Sequence, residues 1–338
     1  MAEPMDVQDL TSRATAAAQQ WKEGCVVEHV TFLPGGTVSL VYTANVRAKD
    51  DNVERVVLKV APPGLPPVRN RDVLRQARCI DVLSRVPGVA VPHVLFTDAG
   101  APPEVPPFFA TPFLAGECVE PILVAQTDPV SKDIVRARAF AAVDVLVAMK
   151  KASPAELGLR DEPVMTPADE VRRWVRTFET VPDDVREGYE PVADALLASA
   201  PTLIGPSVVH GDYRLGNMLC DGTEILGIID WELWTVSDPR IDLTWLLFFT
   251  DDADHPSAIE GVSSGMPPQA ELLAAYEAGV GEATTDLPWF EALTAFKEAA
   301  ATALILKLMR RANPDRPDVF PATFCTGLIA RAASIVGA

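Results

Sequence analysis

Residues 208–242 read VVHGDYRLGNMLCDGTEILGIIDWELWTVSDPRID, and they place polar, charge-bearing side chains between short apolar runs. Two of these runs, residues 218–220 and 225–229, lie on either side of the pair Asp221-Gly222. An Asp-Gly pair between two such runs is a strong turn signal. The segment therefore predicts a β-hairpin.

The predicted hairpin brings oxygen-bearing side chains together. The start of its first strand lies beside the end of its second, so Asn217 and Asp230 should be close to each other. Asp212 is in the loop just upstream, and we expect one oxygen-rich site to be assembled from all three. Mg²⁺ bound to ATP takes oxygen ligands and needs only one or two carboxylates, here with an amide oxygen, from the protein. A further carboxylate can orient an attacking hydroxyl and accept its proton.

The spacing of these residues matches a loop that transfers phosphoryl groups. In the protein-kinase sequence H-R-D-x-x-x-x-N, the Asp serves the attacking hydroxyl, while the Asn and a later Asp hold Mg²⁺. Here His210-Gly211-Asp212 is followed after four residues by Asn217, and Asp230 comes thirteen residues later. The simpler alternative is an acidic surface hairpin with a chance His-Gly-Asp. That alternative requires several independent features to coincide.

The motifs HGDYRLGNML, GIIDWE and DPRIDLTWLL resemble those of the aminoglycoside phosphotransferase (choline kinase-like) family. The resemblance is closest to its broad phosphotransferase branch, which includes kinase-like domains fused to acyl-CoA dehydrogenases. It implies a two-lobed, protein-kinase-like fold of the α+β class, with ATP and Mg²⁺ as cofactors. By motif, Asp212 takes the family's catalytic-base position, and Asn217 and Asp230 take its metal-ligand positions. The resemblance extends over nearly the whole chain but is specific only at residues 208–247.

The N-terminal residues predict a helix at residues 6–22, followed by strands at residues 26–33 and 38–46. A glycine-rich turn joins the two strands, and glycine lets backbone N–H groups approach a phosphate closely. By itself, such a turn is more often only a hairpin. The resemblance places the family's phosphate-covering loop on this segment, at Gly35, Gly36, Thr37 and Ser39.

Residues 53–60 predict a third strand that carries Lys59 between two apolar residues. The resemblance makes Lys59 the lysine that contacts the ATP phosphates. Kinases pair this lysine with a Glu on the next helix, which we predict at residues 71–84. Gln76 occupies the corresponding position. It can accept a hydrogen bond from Lys59 but brings no charge, so the lysine would be held more weakly.

Residues 91–97 and 108–114 predict two more strands, which would complete a five-stranded antiparallel sheet. The second falls where the family places the hinge between its lobes, and there backbone groups can hydrogen-bond an adenine ring. Pro112 has no N–H, so only its carbonyl could serve, and the Leu114 N–H is the expected donor. An apolar strand that leads into a linker is an ordinary alternative, and both can hold.

From residue 131 onward apolar residues recur at helical spacing, apart from the hairpin. The predicted helices cover residues 131–151, 166–180, 189–200, 241–249, 269–279, 289–313 and 320–336. We therefore predict a nucleotide-binding lobe at residues 1–114. A catalytic and acceptor-binding lobe, mainly α-helical but containing the hairpin, would occupy residues 115–338.

The segment after the hairpin favours a small-molecule kinase over a protein kinase. Asp230-Trp231-Glu232 stands where protein kinases have Asp-Phe-Gly, and Asp242 follows too soon to leave room for a long activation segment. Trp231 and Glu232 are candidates for substrate contacts, although Glu232 could equally be structural. Asp242, in a D-P-x-x-D-L motif, is predicted to cap the next helix and to hydrogen-bond to the catalytic loop.

The composition places the chain among ordinary globular proteins, with 48% hydrophobic and 22% charged residues. Its 47 acidic and 29 basic residues give a net charge of −18, which disfavours nucleic acids and anionic membranes as partners. No stretch approaches the ~18 apolar residues that a membrane helix needs, and the N-terminal residues lack the apolar core of a signal peptide. The five cysteines are scattered and show no C-x-x-C spacing. Together these features predict a cytoplasmic protein.

Two functions from different classes remain open. The first is a kinase that transfers the γ-phosphate of ATP to a small-molecule hydroxyl. The second is a nucleotide-binding scaffold with weak catalysis, which Gln76 motivates and the complete set of Asp212, Asn217 and Asp230 opposes. If the protein is a kinase, two classes of acceptor remain open. One is an aminoglycoside, whose positive charge would suit the acidic protein, and the other is a metabolic hydroxyl, for instance on an acyl compound.

Overall fold

The computed structural model describes residues 6–34, 38–127 and 130–338. The chain divides into two compact units, each of which is discontinuous in sequence. Unit 1 combines Met1–Cys118 with Asn217–Trp234, and unit 2 combines Val119–Gly216 with Thr235–Ala338. The hairpin therefore belongs to the same compact unit as the N-terminal residues. The division into lobes at residue 114 stays a prediction.

The N-terminal part of unit 1 is a sheet with two helices. Its elements are α1 (Val7–Trp21), β1 (Val26–Leu33), β2 (Leu40–Arg47), β3 (Val53–Val60), α2 (Val73–Leu83), β4 (Phe96–Asp98) and β5 (Phe108–Pro112). The five strands pair antiparallel in the order β1-β2-β3-β5-β4, which confirms the predicted sheet. The predicted phosphate-covering residues Gly35, Gly36 and Thr37 lie outside the described residues.

The remaining elements follow in chain order. They are α3 (Pro121–Val124), α4 (Lys132–Lys151), α5 (Pro167–Phe178), α6 (Tyr189–Ala198), β6 (Ser207–Val209), β7 (Met218–Asp221), β8 (Glu224–Ile228), β9 (Thr235–Ser237), α7 (Arg240–Phe248), α8 (Gln269–Val280), α9 (Leu287–Ala312) and α10 (Ala322–Val336). The mainly helical character predicted for the second half of the chain is confirmed. In unit 2, the short strands β6 and β9 pair antiparallel.

Apolar periodicity explains why unit 1 has this core. In α1 the residues Leu10, Ala14, Ala17 and Ala18 recur at helical spacing and are buried. In β3 the buried residues alternate with the less buried ones, so Val56, Leu58 and Val60 enter the same core. Lys59 lies between Leu58 and Val60 and points to the other face of the sheet.

The fourth strand is much shorter than the sequence predicts. Only Phe96–Asp98 pairs with β5, whereas the prediction began at residue 91. Pro92 lies within the predicted stretch, and a proline cannot donate a hydrogen bond to a neighbouring strand. Leu95 still donates its N–H to the Ala110 carbonyl, at 2.8 Å. Leu95 therefore contacts the sheet through one backbone bond, whereas residues 91–94 are not assigned to a strand.

The predicted hairpin is present, and a linker is bound to its edge. Strands β7 and β8 pair antiparallel on either side of the Asp221-Gly222 turn. Glu117 and Cys220 exchange two backbone hydrogen bonds of 2.9 Å, so the linker after β5 is attached to the edge of β7 by an isolated antiparallel bridge. A Cβ atom at Gly116 would lie 3.0 Å from the backbone N and O of Cys220. Glycine thus allows this close approach.

In the described part of the chain, no helix is long and apolar enough to cross a membrane. The cytoplasmic location stays a prediction.

The contact between linker and hairpin gives a first testable prediction. Gly116→Ala should destabilise the protein by about 1–3 kcal/mol, because backbone atoms of Cys220 must move to admit the new methyl group. The measurement is urea denaturation followed by circular dichroism.

Gly327→Ala in α10 is the matched control. Nothing lies within 4 Å of a Cβ atom at Gly327, so this change should be neutral or stabilising by up to about 1 kcal/mol. Equal effects of the two substitutions would contradict the role of the close approach at Gly116.

Candidate active site

In unit 2 the loop after β6 is held by a carboxylate of α7. Asp242 accepts the backbone N–H of His210 at 2.6 Å and that of Gly211 at 2.9 Å. The predicted hydrogen bonding of Asp242 to the loop is therefore confirmed. Its predicted capping role is wrong, because α7 has Pro239 at its N-cap and Asp242 lies inside the first turn. Burial raises the pKa of the Asp242 carboxyl, and the two N–H donors oppose that rise.

Asp212 follows directly, and two side chains donate to the same oxygen. The Trp245 indole N–H lies 2.8 Å and the Arg214 Nε lies 3.1 Å from Asp212 Oδ1. Trp245 is three residues after Asp242, so both project from the same side of α7. The Asp212 side chain is 24% exposed, which leaves it accessible to a small molecule. The loop thus presents an oriented carboxylate, as a proton acceptor requires.

Arg214 also pairs with Glu120, a buried carboxylate at the start of α3. Its Nη1 lies 3.3 Å from Glu120 Oε2, which also accepts the Gly216 N–H at 3.0 Å. Glu120 Oε1 is buried and has no hydrogen-bond partner among the described residues. Burial raises the pKa of Glu120 to about 7, despite the nearby guanidinium.

Lys297 supports the same loop from α9. Its ammonium group is buried, donates to the Gly211 carbonyl and lies 3.8 Å from the centre of the Trp245 ring. Burial lowers the pKa of Lys297, and the charges of Asp242, Glu170 and Asp212 oppose that change. The adjacent Glu298 is within range of the Asp212 and Arg214 charges, and its burial raises its pKa to about 7.

In unit 1 the hairpin brings Asn217 and Asp230 to the same end, as predicted. Asn217 immediately precedes β7, Asp230 follows β8, and the Ile229 N–H donates to the Asn217 carbonyl at 2.9 Å. Asp230 has a φ of 65°, a left-handed conformation that is uncommon for residues other than glycine. Such conformations are costly and often occur at functional sites. The Asp230 side chain is 44% exposed.

Lys59 pairs with Asp230 rather than with Gln76. The Lys59 Nζ lies 3.0 Å from Asp230 Oδ1. Gln76 is buried, and its amide donates to the Asn70 carbonyl at 2.9 Å. Its Oε1 has no hydrogen-bond partner in the part of the chain that the structure describes, so the predicted bond from Lys59 to Gln76 is not formed. The lysine is instead placed beside the hairpin carboxylate.

Two backbone hydrogen bonds are formed at or next to the residues expected to face adenine. The Phe113 N–H donates to the Arg55 carbonyl at 2.9 Å, and the Leu114 carbonyl accepts the Gly116 N–H at 3.1 Å. Neither bond uses the Pro112 carbonyl or the Leu114 N–H, which are the two groups that the sequence suggested. Ser39, also predicted to bind the nucleotide, is buried immediately before β2.

The suggested contact between Trp231 and a substrate is not supported. Trp231 is completely buried, and its indole N–H donates to the Ile228 carbonyl at 2.9 Å. It therefore anchors the end of the hairpin. Glu232 is half-buried, and its substrate role stays a prediction.

The oxygen-bearing side chains at the end of the hairpin suit a metal ion that is already coordinated by the phosphates of a nucleotide. Within residues 6–34, 38–127 and 130–338, no group of three or more His, Cys, Asp or Glu side chains could hold a metal ion. Mg²⁺ on a nucleotide needs only one or two protein carboxylates, since phosphates and water complete its shell. The exposed Asp230 carboxylate and the neighbouring Asn217 fit that requirement.

Four supporting residues were not predicted from the sequence: Glu120, Arg214, Trp245 and Lys297. Arg214 carried a signal, because it lies within the polar loop itself. The other three are distant in sequence from Asp212: Glu120 lies in the linker before α3, and Trp245 and Lys297 follow ordinary helical patterns. Only the folded chain shows that they converge on residues 210–216.

Comparison with known proteins identifies a family. The model of the "Phosphotransferase enzyme family" matches residues 29–293, well over half of the chain. Acyl-CoA dehydrogenase family member 11 of Pongo abelii is 24% identical over 161 residues, covering 45% of this chain and 21% of that protein. The human protein of the same name is 24% identical over 160 residues, covering 45% and 20%. The chain thus spans about a fifth of the length of these relatives.

Solved structures share the fold over nearly the whole chain. A candidate aminoglycoside phosphotransferase from Ralstonia eutropha has a TM-score of 0.72 at 20% identity, covering 98% of this chain and 96% of that one. A macrolide 2'-phosphotransferase type I has a TM-score of 0.56 at 21% identity, covering 98% of each chain. An aminoglycoside phosphotransferase with ADP and hygromycin B has a TM-score of 0.56 at 15% identity, covering 92% and 94%. These similarities confirm the kinase-like fold.

The buried Glu120 makes stability depend on pH. Its pKa in the folded protein lies above its ordinary value of 4.5, so between about pH 4.5 and 7 the folded state binds more protons than the unfolded state. The contribution of Glu120 to stability therefore falls as pH rises through this range. Glu120→Gln cannot titrate, so its stability relative to wild type should increase from pH 5 to pH 8.

Urea denaturation of both proteins at pH 5, 6, 7 and 8 measures this difference. Glu298 also has a raised pKa, but it is present in both proteins and its contribution cancels. A stability difference that stays constant with pH would contradict the assignment.

Proposed function

The chain belongs to the phosphotransferase enzyme family, and we propose that it transfers the γ-phosphoryl group of ATP to a hydroxyl of a small molecule. The observation that carries the proposal is the Asp212 carboxylate, which two donors orient within an otherwise hydrogen-bonded loop. A carboxylate that is oriented in this way and still accessible can accept the proton of a bound hydroxyl.

Residues of unit 1 would bind the nucleotide. The Lys59 ammonium, now beside Asp230, carries the charge that phosphate oxygens attract. The Pro112 carbonyl and Leu114 N–H have the acceptor and donor that an adenine edge needs. Related folds with ADP or with AMP-PNP bound support an adenine nucleotide as the phosphate donor. The residues Gly35, Gly36 and Thr37 would cover the phosphates, with the buried Ser39 supporting this segment.

Asn217 and Asp230 would hold Mg²⁺. When bound, the ion supplies charge neutralisation on the phosphate oxygens. Lys59, whose Nζ lies 3.0 Å from Asp230 Oδ1, would contact the phosphates beside this carboxylate. The left-handed backbone at Asp230 would keep its carboxylate at the end of the hairpin.

Asp212 would orient the acceptor hydroxyl and accept its proton. Its carboxylate receives a hydrogen bond from the acceptor hydroxyl and orients the oxygen lone pair toward the γ-phosphorus. The new O–P bond forms as the bond from the γ-phosphorus to the β–γ bridging oxygen breaks, and ADP leaves with that electron pair. The hydroxyl proton passes to Asp212 and is later released to water.

The acceptor is proposed only as a class, a small molecule with a free hydroxyl. Related folds have been solved with hygromycin B and with spectinomycin, while the curated relatives are acyl-CoA dehydrogenase family members. An acceptor screen should therefore contain aminocyclitol and macrolide antibiotics together with hydroxylated acyl compounds. ADP release reports turnover for all of them.

Nucleotide binding can be tested without knowing the acceptor. ATP at a hundred times its dissociation constant should stabilise the wild-type protein by about 2.7 kcal/mol, and this effect should require Mg²⁺. Asp230→Ala should lose the part that depends on Mg²⁺. Asp221→Asn, at the turn of the same hairpin, is the control and should respond as wild type does in a thermal-shift titration. A wild-type protein whose melting temperature does not change when ATP and Mg²⁺ are added would overturn the proposal.

Catalysis is tested by Asp212→Asn, which keeps the size of the side chain but removes its basicity. We expect ADP release to fall by about 10²–10⁴-fold, with ATP-induced stabilisation unchanged. Asp194→Asn, at an exposed position of α6, is the control. If Asp212→Asn and the wild type bind ATP equally and neither releases ADP with any acceptor, the scaffold function motivated by Gln76 is favoured.

A further inference from the structure

One side of α7 holds three consecutive residues of the loop after β6. Asp242 binds the backbone of His210 and Gly211, and Trp245, one turn later, binds the side chain of Asp212. We propose that Trp245, with Lys297 stacked on its ring, is a positioning residue that orients the Asp212 carboxylate and lowers its basicity. This inference rests on the proposed function, in which Asp212 receives the acceptor's proton.

The position of the indole ring is fixed by packing. Trp245 is 3% exposed, and its ring lies against those of Phe248 and Phe249, with centroids 6.4 and 5.8 Å away. A buried indole has a single polar group, an N–H that can only donate. Here the indole nitrogen, Trp245 Nε1, lies 2.8 Å from Asp212 Oδ1. The packing of the ring therefore determines where the oxygen lies.

Lys297 acts on both the ring and the loop. Its ammonium lies 3.8 Å from the centre of the Trp245 ring and donates to the carbonyl of Gly211, the residue before Asp212. A cation over an indole face is attracted by the π electrons. It draws electron density from the ring, which makes the N–H a stronger donor. One buried cation thus fixes the backbone beside Asp212 and strengthens the bond to its side chain.

Other charged groups also act on Asp212. Arg214 donates to the same oxygen, and the charges of Lys297, Glu120 and Glu298 lie within range of Asp212. His210 accepts the Asp212 N–H at its Nδ1, at 3.1 Å. Arg214 is shared with Glu120, whose pKa is about 7.

The Trp245 N–H is neutral and does not titrate in the physiological range. It therefore supplies a donor to Asp212 that remains in place when Glu120 changes charge. A donor to a carboxylate favours the ionised form, so removing it raises the proton affinity of Asp212. The acidic limb of the pH–rate profile should then move to higher pH.

The kinetic test uses MgATP hydrolysis with water in place of the acceptor hydroxyl. Trp245→Phe keeps an aromatic ring but removes the N–H, and we expect kcat to fall about 10- to 100-fold with an unchanged KM for MgATP. The acidic limb should shift upward by a measurable fraction of a pH unit. Lys297→Met should produce a smaller change in the same direction.

Trp289→Phe is the matched control. Its buried indole also donates to one acceptor, the Leu196 carbonyl at 3.1 Å, and its ring packs against that of Phe290. This variant should keep both kcat and the pH profile within twofold of wild type. If Trp245→Phe also does so, the inference is overturned.

A second measurement does not depend on turnover or on the folding of Trp245→Phe. In ¹⁵N-labelled protein, with indole signals assigned by triple-resonance spectroscopy, the Trp245 N–H proton should move upfield in Asp212→Asn and in Lys297→Met. The Trp289 signal should stay in place. An unmoved Trp245 signal in both variants would contradict the proposed contact.

The two proposals fail in different ways. Full ATP hydrolysis by Asp212→Asn would remove Asp212 from the reaction and so overturn the proposed function. An inactive Asp212→Asn beside a Trp245→Phe with wild-type kcat and pH profile would overturn only the role of Trp245.

Discussion

The Asp242 carboxylate and the two backbone N–H groups that it accepts determine the conformation of the loop around Asp212. A buried carboxylate is costly unless donors satisfy it, and His210 and Gly211 supply two. The same constraint fixes how α7 lies against the end of β6. Asp242 and Trp245 lie on the same rigid helix, α7. The position of Asp242 at the loop therefore also places Trp245 beside Asp212. The orientation of the Asp212 carboxylate thus depends on the bonds of Asp242 to the loop backbone as well as on the donors Trp245 and Arg214.

Unit 1 shows a second constraint, in which backbone pairing connects distant sequence. The linker at Gly116 and Glu117 pairs with β7, and the hairpin carries Asn217 and Asp230 at its base. The groups proposed for adenine and those proposed for phosphate therefore belong to one continuous hydrogen-bonded framework. The ion pair between Lys59 and Asp230 joins the N-terminal sheet to the same hairpin.

The sequence predicted the features that depend on local pattern. The bounds of β1 and β3 are as expected, and the Asp-Gly turn located the hairpin that brings Asn217 to Asp230. The predictions were wrong where tertiary contacts determine the length of a strand or the partner of a side chain. Pro92 shortened the fourth strand, and Trp231 turned inward to anchor the hairpin. Gln76 bonded to a nearby carbonyl instead of Lys59. Likewise, nothing in the helical pattern of α9 distinguishes Lys297 from a surface lysine, since its partners lie more than fifty residues away.

The discontinuity of unit 1 has a consequence for synthesis on the ribosome. Residues 1–118 are synthesised before the second segment of their unit, which contains the hairpin and ends at residue 234. At roughly 5–20 residues per second, the intervening stretch delays completion by about 6 to 23 seconds. During that interval the linker edge at Gly116 and Glu117 has no strand to pair with, and exposed strand edges invite pairing with other chains. Nascent molecules of this protein should therefore be most prone to aggregation while residues 119–234 are being synthesised.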